Sequence, residues 1–162
     1  MSESNNALSK SALKVQEVLS NKGLNFKVIE LPSSTRTANE AAETIGCEVS
    51  QIVKSLIFRM KDGDRPVLVL ASGVNRVNEK TIEAQVGEKI LKADADFCRV
   101  VTGFAIGGVP PVGHIQQIDT FIDEDLLQHK EIWAAAGTPN AVFCLESKDL
   151  MSLTNGKVIS IK

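Results

Sequence analysis

Long apolar runs are missing from this 162-residue sequence. The longest ones, such as residues 66–71 and 132–136, fall far short of the roughly 20 residues that a helix needs to cross a bilayer. The sequence begins MSESNNALSK, which is polar where a secretory signal would be apolar. We therefore expect no membrane-spanning segment and a cytoplasmic location.

Cysteine and histidine are also scarce. The three cysteines, Cys47, Cys98 and Cys144, are odd in number and widely separated, which fits neither a disulfide framework nor the close pairs of a zinc site. We expect three reduced, mostly buried thiols, and neither a metal nor another cofactor. With only His114 and His129 in the chain, a Ser-His-Asp or Cys-His arrangement has little support.

Familiar nucleotide-binding and hydrolase motifs are absent as well. The chain contains no G-x-G-x-x-G, no G-x-x-x-x-G-K-[ST], no H-E-x-x-H and no G-x-S-x-G. Its formal charge is −2, which gives no global attraction for nucleic acid. Residues 51–100, however, carry nine basic and seven acidic side chains, so a local basic face remains open.

Hydrophobic residues make up 43% of the chain and charged residues 23%, which is typical of a folded domain rather than a disordered one. Strand-like and helix-like segments are mixed without regular alternation, and this predicts an α+β fold around one mixed, curled sheet. We expect a polar tail at residues 1–6 and a single domain over residues 7–162.

Helices are predicted at 7–19, from Thr37 to Ile45, from Ser50, from Asn75 or Asn78 to Gln85, from Asp94 to Gly103, at 125–129 and from Ser147. Strands are predicted at 24–31, 53–60, 66–72, 120–123, 131–135, 141–145 and 158–161.

Lys54 is unusual because it interrupts the apolar run at residues 52–58. The two-residue period of a strand puts Lys54 on the same face as Ile52, Leu56 and Phe58, which we expect to be covered. A lysine on a covered face must reach a partner or a wet cavity. The alternative is that its aliphatic stem lies along a strand edge and its ammonium group reaches solvent.

Residues 103–114 form a second unusual segment, with four glycines and two prolines among twelve residues. Glycine lets a ligand approach the backbone N–H groups, and proline holds a loop in one shape. Such a loop can donate hydrogen bonds to an oxygen that gains negative charge during acyl transfer. The alternative is a tight crossover packed on the core, with His114 either a structural side chain or a substrate contact.

Three segments together resemble the family of YbaK and prolyl-tRNA synthetase editing domains, and the resemblance covers residues 7–162. The segments are Val-Lys-Ser-Leu-Ile-Phe at 53–58, Gly-Gly-Val-Pro-Pro at 107–111 followed by Gly113, and Ala-Gly-Thr-Pro at 136–139 leading into 141–150. The resemblance implies a sheet curled into a partly open barrel with flanking short helices. It also implies a freestanding deacylase that cleaves the ester between a wrong amino acid and the 3′ end of a tRNA, most often tRNA(Pro).

By this resemblance, Lys54 and Gly107 are the catalytic residues, and attack is by water or a group of the substrate, with no protein nucleophile. The expected substrate-binding residues are Leu56, Ser72, Gly108, Val109, Pro110, Pro111, His114, Gly137 and Thr138, with Ile45 and Ala71 as further pocket residues. The expected tRNA-binding residues are Lys54, Arg59, Lys61, Arg76 and Lys80, with Lys89 as a further member of that basic face.

The expected partners are the aminoacylated 3′ end of a tRNA and, as a candidate, prolyl-tRNA synthetase, but neither a membrane nor DNA. The sequence does not choose among alanine, cysteine, serine, threonine and 2-aminobutyrate as the amino acid removed, because one methylene is worth only about 1 to 3 kcal/mol. Two rival functions remain. One is a non-catalytic module that binds tRNA or a synthetase, and the other is a hydrolase of another small ester that uses Cys98 or His114.

Overall fold

The computed structural model describes residues 8–35 and 37–162, so the predicted tail at residues 1–6 lies outside the described residues. The α-helices are α1 (Lys10–Asn21), α2 (Ala38–Ile45), α3 (Glu79–Val86), α4 (Ala95–Thr102) and α5 (Leu150–Thr154). The strands are β1 (Val28–Glu30), β2 (Val53–Met60), β3 (Pro66–Ser72), β4 (Ile90–Lys92), β5 (Asp119–Asp123), β6 (Glu131–Ala135), β7 (Ala141–Glu146) and β8 (Lys157–Ile159). Short 3-10 helices lie at Val49–Gln51, Glu124–Gln128 and Ser147–Asp149.

The strands form two sheets, which confirms the α+β class but not the single sheet. One sheet has the order β4-β2-β3-β5-β8 and the other has the order β1-β7-β6. The prediction of one continuous mixed sheet is wrong: in the described residues no continuous ladder joins the two sheets, and the isolated β-bridge between them is the parallel one between Ile52 and Trp133. The 3-10 helix at Val49–Gln51 ends just before Ile52, so the chain becomes extended only at the residue that forms the bridge. Neither sheet closes into a barrel.

The β2–β3 hairpin forms the centre of the larger sheet, as the apolar runs around Asp62-Gly63 predict. β3 is buried on both faces: Leu68 and Leu70 belong to the main core, whereas Val67 and Val69 belong to a second cluster. This double burial explains why the strand reads as a continuous apolar run. β5 and β8 then extend the sheet in parallel with β3.

Local capping signals place the helices. Thr37 and Glu40 form the predicted capping box of α2, and the side chains of Asn78 and Asp94 cap α3 and α4. Each such cap contributes about 0.5–2 kcal/mol to helix stability. The first helix begins later than the periodicity predicts, because the Ser9 hydroxyl accepts from the Ala12 N–H and starts α1 at Lys10.

Ser147 does not cap a helix as predicted: it lies within a 3-10 turn, and its hydroxyl donates to the His129 carbonyl. Within the described ranges 8–35 and 37–162, no helix is long and apolar enough to span a membrane.

The strand β4 has no counterpart among the predicted strands. It pairs with β2 only at Phe58, Arg59 and Met60. In the part of the chain that the structure describes, the first half of β2 therefore keeps an edge that no continuous strand covers. Lys54 lies on this open half, and the candidate site forms around it.

Candidate active site

The open half of β2 lines two cavities. The first, of about 330 Å³, reaches α2 and β6, and we call it the α2 cavity. The second, of about 590 Å³, reaches the start of α3, and we call it the α3 cavity. Six residues line both cavities and form what we call the shared wall: Lys54, Ser55, Leu56, Ile106, Gly107 and Val109. The two predicted catalytic residues, Lys54 and Gly107, thus lie on one wall.

The α2 cavity is mainly apolar. Helix α2 contributes Ala38, Ala41 and Ile45, and β6 contributes Trp133 beside Ala134 and Ala135. Thr35 also lines this cavity, where its hydroxyl donates to the Pro139 carbonyl at 2.7 Å. The Thr35 hydroxyl therefore already has a hydrogen-bond partner within the protein. Since most other wall residues are apolar, the cavity favours an uncharged group.

The Lys54 side chain reaches both a partner and the two cavities, as its position on a covered face predicts. It is half-buried, and its Nζ donates to the backbone carbonyl of Asn75 at 2.6 Å. Burial lowers the pKa of Lys54, and the neighbouring charge of Arg76 lowers it further, while Asp123 acts in the opposite direction. The site therefore holds a partly desolvated cation at the wall between the cavities.

A buried carboxylate fixes the turn that carries Asn75. Asp123 has no exposed surface, and its Oδ2 accepts from the Ser72 N–H at 2.9 Å and from the Asn75 side-chain amide at 2.8 Å. The same amide also donates to Asp125 at 2.7 Å, and Asp125 forms an ion pair with Lys162 at 3.0 Å. The carbonyl that binds Lys54 is thus held by residues some fifty positions along the chain.

The α3 cavity carries more charge. Arg76, Lys92 and Glu79 line it together with Phe58, Val77 and Cys98. With Lys54 on the shared wall, three cationic side chains face this cavity against one carboxylate. A cavity of this charge suits an anionic or polar ligand.

The glycine-rich loop packs against the turn at residues 137–140. Gly107 has φ +93°, in the left-handed region that favours glycine, and its neighbour Gly108 is buried. A Cβ at Gly108 would lie 2.8 Å from the backbone of Thr138, and the Gly137 N–H donates to the Gly108 carbonyl at 2.8 Å. This close packing presents Gly107 to the cavities.

The predicted site residues fall into three groups. Lys54, Leu56, Gly107 and Val109 line both cavities, Ile45 lines the α2 cavity and Arg76 lines the α3 cavity. Gly108, Gly137 and Thr138 form the loop packing described above, while Ala71 and Ser72 are buried at the end of β3. The other predicted residues lie outside both cavities. Pro111 and His114 line a separate depression, and the carbonyl of the buried Pro110 accepts a hydrogen bond from His114. Arg59 is 3.4 Å from Asp64, and the side chains of Lys61, Lys80 and Lys89 are exposed.

His114 lines neither the α2 cavity nor the α3 cavity. It is half-buried, and its Nε2 lies 2.7 Å from the Pro110 carbonyl. Burial lowers the pKa of His114, the Pro110 carbonyl opposes this shift, and Lys14 adds to it. Its assignment as a substrate contact stays a prediction.

A cysteine-based mechanism has little support from the geometry. Cys98 lines the α3 cavity but is buried, and burial raises the pKa of its thiol, which disfavours the reactive thiolate. Among the described residues, neither histidine lines either cavity, so no Cys-His pair forms. Cys47 and Cys144 are only partly buried, unlike the predicted buried thiols. The described residues also contain no cluster of three His, Cys, Asp or Glu side chains that could hold a metal ion.

Sequence reasoning missed several site residues. The sequence assigns none of these to the site: Thr35, Asn75, Lys92, Asp123 and Trp133. Thr35 reaches the cavity through a contact with a residue 104 positions away, and no local pattern signals such a contact. Asp123 had one available signal, because it places a carboxylate directly at the end of an apolar strand.

The fold and the two cavities define a small α+β domain that can act on a ligand through a cation and backbone groups rather than through a nucleophile-histidine pair. Residues 32–153 match the model of the aminoacyl-tRNA editing domain, and the chain belongs to this family. The resemblance to YbaK-like editing domains is thereby confirmed.

Three similar proteins agree with this assignment. The uncharacterized protein YwhH of Bacillus subtilis is 33% identical over 81% of this chain and 83% of its own length. EbsC of Enterococcus faecalis, whose name proposes a Cys-tRNA(Pro)/Cys-tRNA(Cys) deacylase, is 27% identical over 77% of this chain and 76% of its own. A crystal structure presented as a proposed trans-editing enzyme for prolyl-tRNA synthetase is 48% identical, with TM-score 0.91, over 96% of this chain and 99% of that one. The family match, EbsC and the trans-editing structure support deacylation of aminoacyl-tRNA as the activity.

Proposed function

We propose that this protein is a trans-acting deacylase that hydrolyses the ester of a mischarged tRNA(Pro) carrying an amino acid with a small, uncharged side chain. The observation that carries the proposal is the shared wall, where Lys54 and Gly107 lie between an apolar cavity and a cationic one. An aminoacyl ester has an apolar or small side chain on one side and an anionic nucleotide on the other. It therefore matches the two cavities in chemistry and in order. The proposal assigns the protein to the cytoplasm, where tRNA is charged.

The α2 cavity receives the amino acid in this proposal. Its apolar walls suit an uncharged side chain and penalise a charged one. The terminal nucleotide occupies the α3 cavity, where Arg76 and Lys92 neutralise phosphate charge. The ester that joins the two parts then crosses the shared wall beside Lys54.

Hydrolysis at this wall needs no protein nucleophile. The oxygen of a water molecule attacks the ester carbonyl carbon, and the water releases one proton. The bond from that carbon to the ribose oxygen then breaks, and the ribose oxygen takes up this proton, which leaves the free amino acid and the tRNA 3′ end. The positive charge of Lys54 and the Gly107 backbone stabilise the negative charge that develops on the carbonyl oxygen. An aminoacyl ester is already activated, so stabilisation of a few kcal/mol gives a useful rate.

The backbone carbonyl of Asn75 holds the Lys54 ammonium group in place before the substrate binds. The 2.6 Å bond from Nζ to the Asn75 carbonyl uses one of the three ammonium donors and leaves two for the substrate. A fixed cation loses less conformational entropy on binding than a free lysine does, and it needs less reorganisation in the transition state.

The test is a deacylation assay on tRNA(Pro) charged with alanine, cysteine, serine, threonine, 2-aminobutyrate or proline. We expect rapid hydrolysis of at least one mischarged species, sparing of prolyl-tRNA(Pro), and a loss of at least a hundredfold in kcat/KM in Lys54→Ala. Lys148→Ala is the matched control, because Lys148 is exposed, pairs with Glu146 at 3.3 Å and lines neither cavity.

Binding of tRNA without hydrolysis of any species would contradict this proposal and favour a non-catalytic tRNA-binding module. Equal hydrolysis of the same amino acid on tRNA(Pro) and on its cognate tRNA would contradict the tRNA(Pro) assignment alone.

A further inference from the structure

Ile106 is an exposed isoleucine on the shared wall. It lines both cavities, and 52% of its surface is open to solvent, whereas Val109 on the same wall is buried. Single exposed apolar side chains are common on protein surfaces and by themselves need no explanation. Ile106, however, borders the same two cavities as Lys54 and Gly107, so its apolar surface is open to any ligand that binds there.

A tight turn fixes the place of Ile106. The Gly108 N–H donates to the Ala105 carbonyl at 3.1 Å, so residues 105–108 form a β-turn with Ile106 and Gly107 at its centre. Gly107 has φ +93°, as the third residue of a type II turn requires. Proline is favoured at the second position of such a turn, and a β-branched isoleucine brings no advantage there. Among the described residues, Ile106 also belongs to no core cluster, so neither the turn nor the core explains an isoleucine.

The extent of the exposed surface selects the kind of group that can cover it. A small amino-acid side chain has too few atoms to cover half of an isoleucine. A nucleobase has a broad apolar face, and proteins that bind unpaired bases pack that face against aromatic or apolar side chains. The α3 cavity offers Phe58 and Val77 as further apolar lining, next to the cations that the proposed function assigns to phosphate.

We infer that Ile106 is a substrate-binding residue whose side chain packs against the adenine base of the terminal nucleotide of the tRNA. This inference rests on the proposed function, because it assumes that the terminal nucleotide occupies the α3 cavity. The hydrogen-bonded turn holds the apolar surface in place before the tRNA binds, so little conformational entropy is lost on binding. The base keeps this contact before and during hydrolysis. The contact therefore stabilises the bound ground state and the transition state alike, and its loss raises KM and leaves kcat nearly unchanged.

The test measures the binding of uncharged tRNA(Pro), either complete or lacking the base of its terminal nucleotide. We expect Ile106→Ala to weaken binding of the complete tRNA about five- to twentyfold, because less apolar surface is buried. Removal of the base should cost wild type at least about threefold more affinity than it costs Ile106→Ala, since only wild type has this contact to lose. Ile106→Leu keeps the apolar surface and should bind the complete tRNA within about threefold of wild type.

Val100→Ala is the matched control, because Val100 is 70% exposed on α4 and lines neither cavity. This variant should bind both tRNAs as wild type does. In the deacylation assay, Ile106→Ala should raise KM about as much as it weakens binding, with kcat changed less than about threefold. Its thermal midpoint should stay close to that of wild type, because the side chain it shortens is exposed.

The outcomes separate this contact from the proposed function. An equal effect of base removal on wild type and on Ile106→Ala would overturn the contact and leave the proposed deacylase intact. Normal binding of uncharged tRNA by Ile106→Ala, together with hydrolysis of larger amino acids, would also overturn it and place Ile106 in the amino-acid cavity. Hydrolysis of no mischarged species by wild type would contradict the proposed function, while the comparison of the two tRNAs would still decide whether Ile106 contacts the base.

Discussion

At the scale of single residues, the site depends on side chains and glycines in unusual environments. Lys54 is a cation on a mainly covered strand face, and Gly107 has a backbone conformation that an alanine would strain by roughly 1–2 kcal/mol. His114 is the remaining unusual residue, since it is a half-buried histidine beside the loop but away from both cavities. Because His114 is half-buried, its protonation makes the stability of the fold depend on pH.

We expect the protein to lose stability as the pH falls below about 6.5, the ordinary pKa of histidine. The folded-state pKa of His114 is lowered, mainly by burial, so the unfolded chain takes up a proton first as the pH falls. Between the unfolded and folded pKa values the free energy of unfolding therefore decreases, and above the unfolded pKa this contribution is absent. Chemical denaturation of wild type and His114→Gln at pH 8.0, 7.0, 6.0 and 5.5 checks this. The glutamine variant should show a smaller decrease, and an equal decrease in both proteins would contradict the prediction.

At the scale of secondary-structure elements, three separate segments position Lys54. The lysine lies on β2, its carbonyl partner Asn75 lies in the turn after β3, and Asp123 at the end of β5 holds that turn. β3 and β5 are neighbouring parallel strands, so their ends meet at one edge of the sheet. The buried negative charge of Asp123 therefore acts on Lys54 both through Asn75 and directly through space.

We expect Asp123→Asn to impair deacylation without removing a substrate contact. The carboxylate raises the pKa of Lys54, so its loss should move the alkaline limb of the pH–rate profile to lower pH. The kcat at neutral pH should fall about three- to thirtyfold, and the free energy of unfolding should decrease by about 1–3 kcal/mol, because a buried N–H loses a good acceptor.

Two comparisons make the Asp123→Asn result specific. Arg76→Gln should move the same limb to higher pH, since Arg76 lowers the pKa of Lys54. Asp119→Asn removes an exposed carboxylate from the start of the same strand and should leave the profile unchanged. Uniform loss of activity at all pH values in Asp123→Asn would instead indicate that its effect is one of stability alone.

At the scale of the whole molecule, the sequence predicts local elements well and long-range geometry poorly. The hairpin and the helix caps follow from neighbouring residues, such as Thr37 with Glu40. The sequence does not predict β4, because this strand has only three residues, two of them exposed, and pairs with just the last three residues of β2. The division into two sheets, which the isolated bridge from Ile52 to Trp133 connects, is not encoded by any sequence period. The same limit applies to the site: Lys54 and Gly107 have local signals, but the Asn75–Asp123 contact does not.

The charge distribution sets how this acidic chain binds an anionic partner. The net charge is −2, so attraction to tRNA must come from a local arrangement of cations. Arg76 and Lys92 line the α3 cavity with Lys54, whereas Arg59 is 3.4 Å from Asp64 and stacks over the Phe97 ring at 5.5 Å. A paired arginine releases fewer counterions on binding than a free one, so we expect the α3 cavity to supply most of the electrostatic affinity.

We therefore expect tRNA affinity to fall with added salt, with a slope of about −2 in a plot of log affinity against log salt, as two or three phosphate contacts produce. Combining Arg76→Gln with Lys92→Gln should weaken binding at low salt about tenfold or more and bring the slope close to zero. Lys148→Ala removes one exposed positive charge outside both cavities and should keep the wild-type slope. Titration of labelled, uncharged tRNA at four salt concentrations separates this binding effect from catalysis. If the double variant kept the wild-type slope while Arg59→Gln lost it, the tRNA would bind along the β2–β3 hairpin instead, and the assignment of the nucleotide to the α3 cavity would be wrong.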